Sequence, residues 1–281
     1  MTFAFSEAFA DARHALGRIA SLRWKKSVNR LIRMAPRPLI HPEARLIVIF
    51  SPKSACSNVV IWFLHQLGKA EEAREHNDWP HLYRRNVYCK SSLYREACDL
   101  PLNDFRVVRI VRDPLDRAAS SFRHALRTGL GKQLFGSALG RPNAVKEGVS
   151  FREYLDALDR IDLTTCNTHF RIQRHPVEDK LPVTHLINVT SQDLYARLNE
   201  VEADLGLPVT DFAKLEWLQS LSSQRGRFNG KIETDDAYDL PLTADHGRVG
   251  PWPHYRALLT PVARERLARL YAADIAAYGA C

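Results

Sequence analysis

A short apolar strand that runs through a loop of small residues into an apolar helix constrains the fold more than any other segment. Residues 46–50 read LIVIF, a continuous run typical of a strand buried on both faces. The loop Ser51–Ser57 follows, and Asn58 is the predicted N-cap of a helix over Val59–Leu67, which Gly68 ends. The segment therefore predicts a buried strand, a tight loop and a helix in direct succession.

A second unit of the same kind begins with the predicted strand Phe105–Val111. Asp113 is its predicted N-cap and Pro114 the first residue of a helix reaching about Leu126. Further predictions are helices at Phe151–Leu158, Ser191–Leu205 (closed by Gly206) and Pro261–Tyr278, a strand at Thr184–Val189, irregular chain at 70–104, a surface loop or substrate lid at Gly129–Gly148, and a loop at Gln219–Gly230.

Strands that alternate with helices predict an α/β fold, with a parallel central sheet flanked by helices on both faces. Ligands of such sheets bind beyond the carboxyl ends of the strands. Both loops described above lie at that edge, so they are the first candidates for a binding site.

The charge of the chain is concentrated at its N-terminal end. Of the net charge of +8, the first 45 residues carry +6, because nine Lys and Arg face only Glu7, Asp11 and Glu43. Residues 1–40 are therefore predicted as a basic amphipathic arm, and residues 41–281 as the main domain. Such an arm suits an anionic partner such as a membrane surface, acidic glycan or nucleic acid, and a solvated basic helix face is the alternative.

Cysteine spacing and hydropathy indicate the compartment. The five cysteines are scattered and form no C-x-x-C pair, which predicts neither a zinc site nor a disulfide framework. No apolar run approaches the ~20 residues that span a bilayer. Charged residues also interrupt every apolar stretch near the N-terminus, so no signal peptide is predicted. We therefore expect an intracellular, cytoplasmic protein.

The loop after the first strand has the features of an anion site. A strand that turns into a helix N-terminus points backbone N–H groups at a ligand, and Lys53 adds a mobile cation. The loop lacks the G-x-x-x-x-G-K-[ST] pattern of a Walker A motif. An ordinary surface turn is the alternative interpretation.

The second unit suggests another phosphate clamp. Arg112 ends the strand, and Ser120 lies in the first turns of the following helix. Asp113, Arg117 and Ser120 are spaced to share one helix face. An arginine fork and a hydroxyl near a helix start can hold a phosphate. A local ion pair of Arg112 with Asp113 or Asp116 is the alternative.

Four segments in order resemble the PAPS-dependent sulfotransferases, specifically the carbohydrate sulfotransferase branch (sulfotransferase family 2). They are Pro52-Lys-Ser-Ala-Cys-Ser-Asn58, Arg112-Asp-Pro-Leu-Asp-Arg-Ala-Ala-Ser120-Ser-Phe, Asn167-Thr-His169-Phe170 and Tyr271-x-x-Asp274-x-x-x-Tyr278. The chain departs from the family at Val59, where an aromatic residue is usual, and at Phe170, where tryptophan is usual. It also lacks the membrane anchor of the Golgi enzymes, which suggests a bacterial-type soluble member.

The resemblance implies a P-loop-like sulfotransferase fold and in-line transfer of the sulfonate of PAPS to a hydroxyl, without a metal. Lys53 would stabilise the leaving oxygen. The PAPS-binding residues would be Pro52, Lys53, Ser54, Ala55, Cys56, Ser57, Asn58, Arg112 and Ser120. The acceptor would be a carbohydrate, lipopolysaccharide or glycolipid. Residues 1–40 would contact the inner membrane face peripherally, and no nucleic acid is expected.

The resemblance places the general base between the two phosphate motifs, and a histidine suits that role. His81 is the first candidate, followed by His76 and then by a carboxylate such as Glu75 or Asp78. His65 lies within the apolar helix and is expected to be packed.

Two other segments have weaker assignments. His169 either shapes the acceptor site or is structural. Arg225-Gly226-Arg227 lies where cytosolic sulfotransferases carry a 3′-phosphate contact, although a solvated basic turn is the simpler interpretation.

Two other functions fit part of the sequence. A P-loop-type kinase for a small molecule or lipid would use the same strand–loop–helix unit, but it needs magnesium ligands and a glycine cradle. A non-catalytic basic binding protein would explain residues 1–45 and leave Pro52–Asn58 and Arg112–Ser120 without a role.

Overall fold

The computed structural model describes residues 23–225, 230–248 and 250–279, with side chains excepted for residues 222–225. Its main sheet has four strands in the order β1 (Leu39–His41), β2 (Leu46–Phe50), β3 (Arg106–Val111) and β4 (His185–Asn188). β2, β3 and β4 are parallel, whereas β1 is antiparallel to β2. The predicted α/β class is confirmed. The sheet is mixed because only a short turn, residues 42–45, joins β1 to β2, and parallel strands require a longer crossover.

Helices surround this sheet. In chain order they are α1 (23–32), α2 (Cys56–Gln66), α3 (Ala70–His76), α4 (Pro80–Asn86), α5 (Ser92–Cys98), α6 (Pro114–Arg127), α7 (Gly129–Leu139), α8 (Ala144–Glu147), α9 (Phe151–Asp159), α10 (Leu194–Leu205), α11 (Glu216–Arg225), α12 (Ala244–Arg248), α13 (Tyr255–Leu258), α14 (Pro261–Leu270) and α15 (Ala272–Tyr278). A two-stranded parallel ribbon joins β5 (Lys231–Ile232) to β6 (Trp252–Pro253). Across the described ranges, no helix combines the length and apolar character needed to cross a bilayer.

The two central strands of the sheet, β2 and β3, are covered on both faces. All five residues of β2 are buried, as are five of the six in β3. Since neighbouring side chains of a strand point to opposite faces, both faces of these strands are enclosed. The continuous apolar runs in the sequence predicted this burial correctly.

The apolar side chains form two clusters. One surrounds β1–β3 and α2, and the other surrounds α6, α9 and α14. Residues 1–22 of the predicted arm lie outside the described residues. In the described part, Val28, Ile32, Leu39 and Ile40 pack in the first cluster. Residues 23–40 therefore contribute to the core next to the main sheet.

The prediction of irregular chain at 70–104 is wrong, because α3, α4, α5 and two 3-10 turns occupy this segment. Each helix is only seven residues long and buries few apolar side chains, such as Ala73 in α3 and Tyr94 in α5. Elements this short produce no repeating apolar pattern among their many polar residues.

The prediction of a surface loop or lid at Gly129–Gly148 is also wrong, because α7 and α8 fill most of it. Leu134 and Phe135 of α7 are buried in the second cluster. A Cβ at Gly131 would collide with the backbone oxygen of Ala125, so this glycine allows close packing of α7 against α6.

The remaining predicted elements differ mainly at their ends. Asp113 caps α6 through hydrogen bonds from two backbone amides, and Gly206 ends α10 with a φ of 64°, as predicted. The predicted closing helix is interrupted at Tyr271, which separates α14 from α15. The loop predicted at Gln219–Gly230 is helical as far as Arg225, and residues 226–229 lie outside the described residues.

Candidate functional site

A cleft of about 1480 Å³ opens where β2 and β3 end. The two segments predicted to bind phosphate both line it. Of the residues predicted to bind PAPS, all but Ser54 face the cleft, as does His81: Pro52, Lys53, Ala55, Cys56, Ser57, Asn58, Arg112 and Ser120. Ser54 is buried beneath the loop.

The loop after β2 has an unusual backbone. Lys53 and Ala55 both have positive φ angles, of 72° and 55°. A left-handed conformation costs a non-glycine residue about 1–2 kcal/mol, so the surrounding contacts must hold this loop in place. The prediction that Asn58 caps α2 is wrong: α2 begins at Cys56, after Ala55, and Asn58 instead donates a hydrogen bond to the Tyr195 hydroxyl at 2.6 Å.

The start of α2 offers backbone donors to the cleft. The amides of Cys56 and Ser57 have no acceptor within the described part of the chain, and no side chain caps this helix. Orphan amides at a helix start, together with the helix dipole, favour an anion. The start of α2 therefore has backbone donors that could hold an anion.

Gln173 joins the two predicted phosphate-binding segments. Its side-chain amide donates to the Arg112 carbonyl at 2.7 Å and accepts hydrogen bonds from the Arg112 amide at 3.1 Å and the Ser54 hydroxyl at 3.2 Å. Its own backbone amide donates to Asp274, which is fully buried. Gln173 lies just after the segment Asn167–Phe170 and belongs to none of the motifs described above.

A buried ion pair supports the loop from below. Arg109 of β3 is fully buried and pairs with Glu178 at 3.0 Å. Its guanidinium also donates to the Ser51 hydroxyl at 3.0 Å and the Tyr278 hydroxyl at 3.2 Å. The sequence signal for this network is an arginine inside an otherwise apolar strand, which the strand prediction passed over.

Arg117 lies on the same helix as Ser120 and contacts backbone instead of lining the cleft. It is 1% exposed and donates to the carbonyls of Pro52 and Thr168, each at 3.1 Å. Ser120 is half-buried and lines the cleft. Arg117 therefore holds the loop after β2 from behind.

Arg112 is directed at the loop after β2. Its guanidinium donates to the Lys53 carbonyl at 3.4 Å. The alternative interpretation, an ion pair with Asp113 or Asp116, is wrong, because neither carboxylate lies within 4.0 Å of Arg112 in the described structure. Arg112 thus adds its charge to the cleft.

The cleft is strongly cationic. Among the described residues, two carboxylates line it, Asp116 and Asp193. Burial raises the pKa of Asp116, and Asp193 caps α10 by accepting from the Ala196 amide. Against these stand seven lining cations: Arg37, Lys53, Arg84, Arg85, Arg112, Arg123 and Arg127. Such a surface favours a polyanionic ligand.

Two stacked imidazoles lie near Lys53. The rings of His124 and His169 are 4.4 Å apart at an interplanar angle of 20°. Burial, and then the charge of Lys53, lowers the pKa of His124 to about 3 and that of His169 to about 4. Both rings are therefore uncharged at neutral pH. The sequence identified His169 as a candidate but not His124, because His124 belongs to none of the motifs.

The tautomer of His169 follows from its partner. Its backbone amide donates to Asn167 Oδ1 at 3.1 Å, which identifies that atom as the oxygen. The His169 ring contacts the same oxygen through Nδ1 at 2.9 Å, so Nδ1 carries the hydrogen. Nε2 is then left with a lone pair, the form that a proton acceptor requires.

The structure separates the candidates for the general base. His81 is 8% exposed, lines the cleft, and places Nε2 3.4 Å from the Ser57 hydroxyl. His76, Glu75 and Asp78 are exposed and lie outside the cleft lining. His65 is exposed on α2, so the prediction that it is packed is wrong.

The segments near the C-terminus support the cleft without lining it. Tyr271 donates to the Phe170 carbonyl at 2.8 Å, Asp274 accepts from Gln173, and Tyr278 contacts Arg109. The side chains of the segment Arg225-Gly226-Arg227 lie outside the described residues.

Comparisons of the chain with models of protein families, with curated proteins and with solved structures found no match.

Proposed function

We propose that the chain is a sulfotransferase that moves the sulfonate of PAPS to a hydroxyl of a carbohydrate or glycolipid, on a P-loop-like sulfotransferase fold. One observation carries the proposal: the two segments predicted to bind phosphate, one at Lys53 and one at Arg112, line a single cationic cleft. PAPS carries a 5′-phosphosulfate and a 3′-phosphate, so it requires two such sites.

Each segment has a role in this proposal. The amides at the start of α2 hold the 5′-phosphate, and Lys53 neutralises the bridging oxygen as the sulfur–oxygen bond breaks. Arg112 and Ser120 hold the 3′-phosphate. The donors are fixed before the ligand arrives, because Gln173 and Arg117 already hold the loop in place.

The acceptor hydroxyl loses its proton as it attacks the sulfur. His81 is the predicted base, and His169 is a second imidazole in the same cleft with an available Nε2. A neutral imidazole can accept that proton and release it to water. Both rings face the cleft that contains Lys53.

The composition of the cleft also supports sulfonate transfer over the kinase alternative. A kinase holds magnesium through acidic side chains. The cleft lining contains two carboxylates, and Asp193 is already engaged as a helix cap.

The proposal is tested by calorimetric titration with PAP and with ATP·Mg²⁺, together with turnover of labelled PAPS in the presence of pooled saccharide acceptors. We expect PAP to bind and ATP·Mg²⁺ to bind much less. Lys53→Ala should lower turnover by about 10²–10³-fold, as expected for removing a donor to developing charge, while PAP still binds. Arg112→Ala should weaken PAP binding about tenfold or more.

Lys132→Ala, which alters an exposed lysine of α7, is the matched control. Unimpaired turnover in Lys53→Ala, or an unchanged PAP titration in Arg112→Ala, would show that the assignment is wrong. Preferential binding of ATP·Mg²⁺ would favour the kinase.

A further inference from the structure

A second group of cations lines the cleft away from Arg112. The cations are Arg37, Arg84 and Arg85, and the rings of Trp79 and His81 line the cleft with them. We call these five residues the α4 edge. Arg37 precedes β1, and Arg84 donates to its carbonyl at 3.3 Å. Because the sheet order is β1-β2-β3, the α4 edge and Arg112 flank the loop after β2 from opposite sides.

Arg84 carries a buried charge that no carboxylate among the described residues neutralises. It is only 9% exposed, and its Nε is buried with no hydrogen-bond partner. No carboxylate lies within 4.0 Å of it in the part of the chain that the structure describes. Burial lowers the pKa of Arg84. A buried guanidinium is costly unless an anion pairs with it, so this one is arranged for a ligand from outside.

The neighbouring thiol does not provide that anion. Cys89 lies beside Arg84 and Arg37, and burial raises its pKa despite both positive charges. At neutral pH it is therefore a neutral thiol. An anionic ligand would therefore be needed to neutralise the positive charges of the α4 edge.

An exposed aromatic ring adjoins these cations. Trp79 is 46% exposed and is one of the large apolar side chains left open to solvent. Arg85 lies 5.1 Å from its ring centroid, and His81 packs against its edge at 5.4 Å. The apolar C–H face of a pyranose packs well on an indole, and the guanidinium beside it can bind an oxyanion carried by the same sugar.

We propose that the α4 edge is an acceptor subsite that takes an acidic saccharide, with a sugar ring on Trp79 and its carboxylate or phosphate on Arg84 and Arg85. The acceptor role rests on the proposed function, whereas the binding of an acidic saccharide does not. The subsite narrows the substrate class from carbohydrates in general to those with an anionic group near the hydroxyl that reacts.

The test is calorimetric titration of the full chain, first saturated with PAP so that the loop after β2 is filled. The probes are an oligosaccharide that contains uronic acids, the same oligosaccharide with its carboxyl groups reduced to alcohols, and a phosphorylated oligosaccharide. We expect at least one acidic probe to bind. The reduced oligosaccharide should bind at least about tenfold more weakly than the acidic one, as expected for the loss of one charge-assisted contact. The tighter acidic probe identifies the anion as carboxylate or phosphate.

Variants assign the binding to the α4 edge. Arg84→Gln and Arg85→Gln should each weaken the acidic probe about tenfold, and Trp79→Ala should weaken the acidic and the reduced probe alike. Arg95→Gln, on the exposed face of α5, is the control and should bind like the unmodified chain. Arg85 and Trp79 are exposed, so they remain informative if Arg84→Gln does not fold.

Three results would overturn the subsite: equal binding of acidic and reduced probes, no binding of either acidic probe, or unaltered binding in both Arg85→Gln and Trp79→Ala. Repeating the titration without PAP separates this proposal from the proposed function. If PAP does not bind but the acidic saccharide does, the sulfotransferase assignment fails and the subsite stands. If PAP binds and the saccharide does not, the reverse holds.

Discussion

The two sides of the cleft carry similar charge but are built in different ways. The loop after β2 is held from beneath by three hydrogen bonds: the Ser54 hydroxyl donates to Gln173, Arg109 donates to the Ser51 hydroxyl, and Arg117 donates to the Pro52 carbonyl. At the α4 edge, Arg84 donates to the Arg37 carbonyl and Arg85 to the His81 carbonyl, each at 3.3 Å, and both guanidiniums pack on rings, those of Phe50 and Trp79. The loop is held by a network of polar contacts, whereas the arginines of the α4 edge have fewer hydrogen bonds and depend more on ring packing.

This difference would suit the two ligands of the proposed reaction. A network with all its partners in place rigidifies a site before binding, which suits a nucleotide that is the same in every turnover. Ring contacts and an exposed tryptophan tolerate small shifts in what packs on them, which suits an acceptor that varies along a glycan. The contrast can be tested one side at a time.

The largest effect is expected from Glu178→Gln, which breaks the ion pair beneath the loop. Glu178 is 6% exposed in its side chain and neutralises the fully buried Arg109. Removing one partner of a buried pair leaves an uncompensated charge, so the free energy of unfolding should fall by about 3–5 kcal/mol. Urea unfolding measures this loss.

The control for Glu178→Gln is Asp104→Asn, in the exposed pair of Arg45 and Asp104 at 3.8 Å. An exposed pair contributes about 0–1 kcal/mol, so this variant should be nearly neutral. Similar losses in both variants would mean that the network beneath the loop has no special weight.

A smaller loss is expected from Gln173→Ala. It would leave the Arg112 amide, the Arg112 carbonyl and the Ser54 hydroxyl without their partner. An unsatisfied buried group costs about 1–3 kcal/mol, and part of that cost returns when water enters the space. We expect a loss of about 2 kcal/mol in stability and, because the loop loosens, about tenfold weaker PAP binding.

Gln133→Ala, on the exposed face of α7, is the matched control for Gln173→Ala. Stability and PAP affinity should fall together if Gln173 holds the loop in its binding form. A loss of stability with unchanged PAP affinity would mean that the loop keeps its shape without Gln173.

The sequence predicted the parts of this cleft that depend on local signals. The apolar run of β2, the Asp113 cap and Gly206 each act through neighbouring residues, and all three predictions are confirmed. The network beneath the loop depends on contacts between distant residues. Gln173 and Asp274, for example, are 101 residues apart, and nothing near either one predicts the hydrogen bond.

The start of α2 shows a second reason for a wrong prediction. Asn58 is a good N-cap by residue type, yet Ala55 takes the capping position with a positive φ. Local preference is overridden because tertiary contacts hold Ser51, Pro52 and Ser54. Such conflicts between local preference and structure are expected where a backbone is shaped for binding.

The smallest effect at neutral pH concerns the imidazoles beside Lys53, whose contribution changes only when the pH is lowered. The native pKa of His169 is about 4, whereas an unfolded histidine titrates near ~6.5. As the pH falls from ~6.5 towards ~4, the unfolded chain takes up a proton that the native state does not. Stability from this group is therefore complete above ~6.5 and is lost through that window.

His169→Gln should reduce the slope of the free energy of unfolding against pH in this window. The reduction corresponds to at most about one bound proton, or roughly 1 kcal/mol per pH unit. Urea unfolding at a series of pH values measures the slope. His65→Gln, which removes an exposed imidazole of α2, is the control for loss of one histidine. If both variants flatten the curve equally, His169 is not held uncharged by its surroundings. If only His169→Gln does, the loop side of the cleft keeps a neutral imidazole beside a lysine, the protonation state that a base for the acceptor hydroxyl needs.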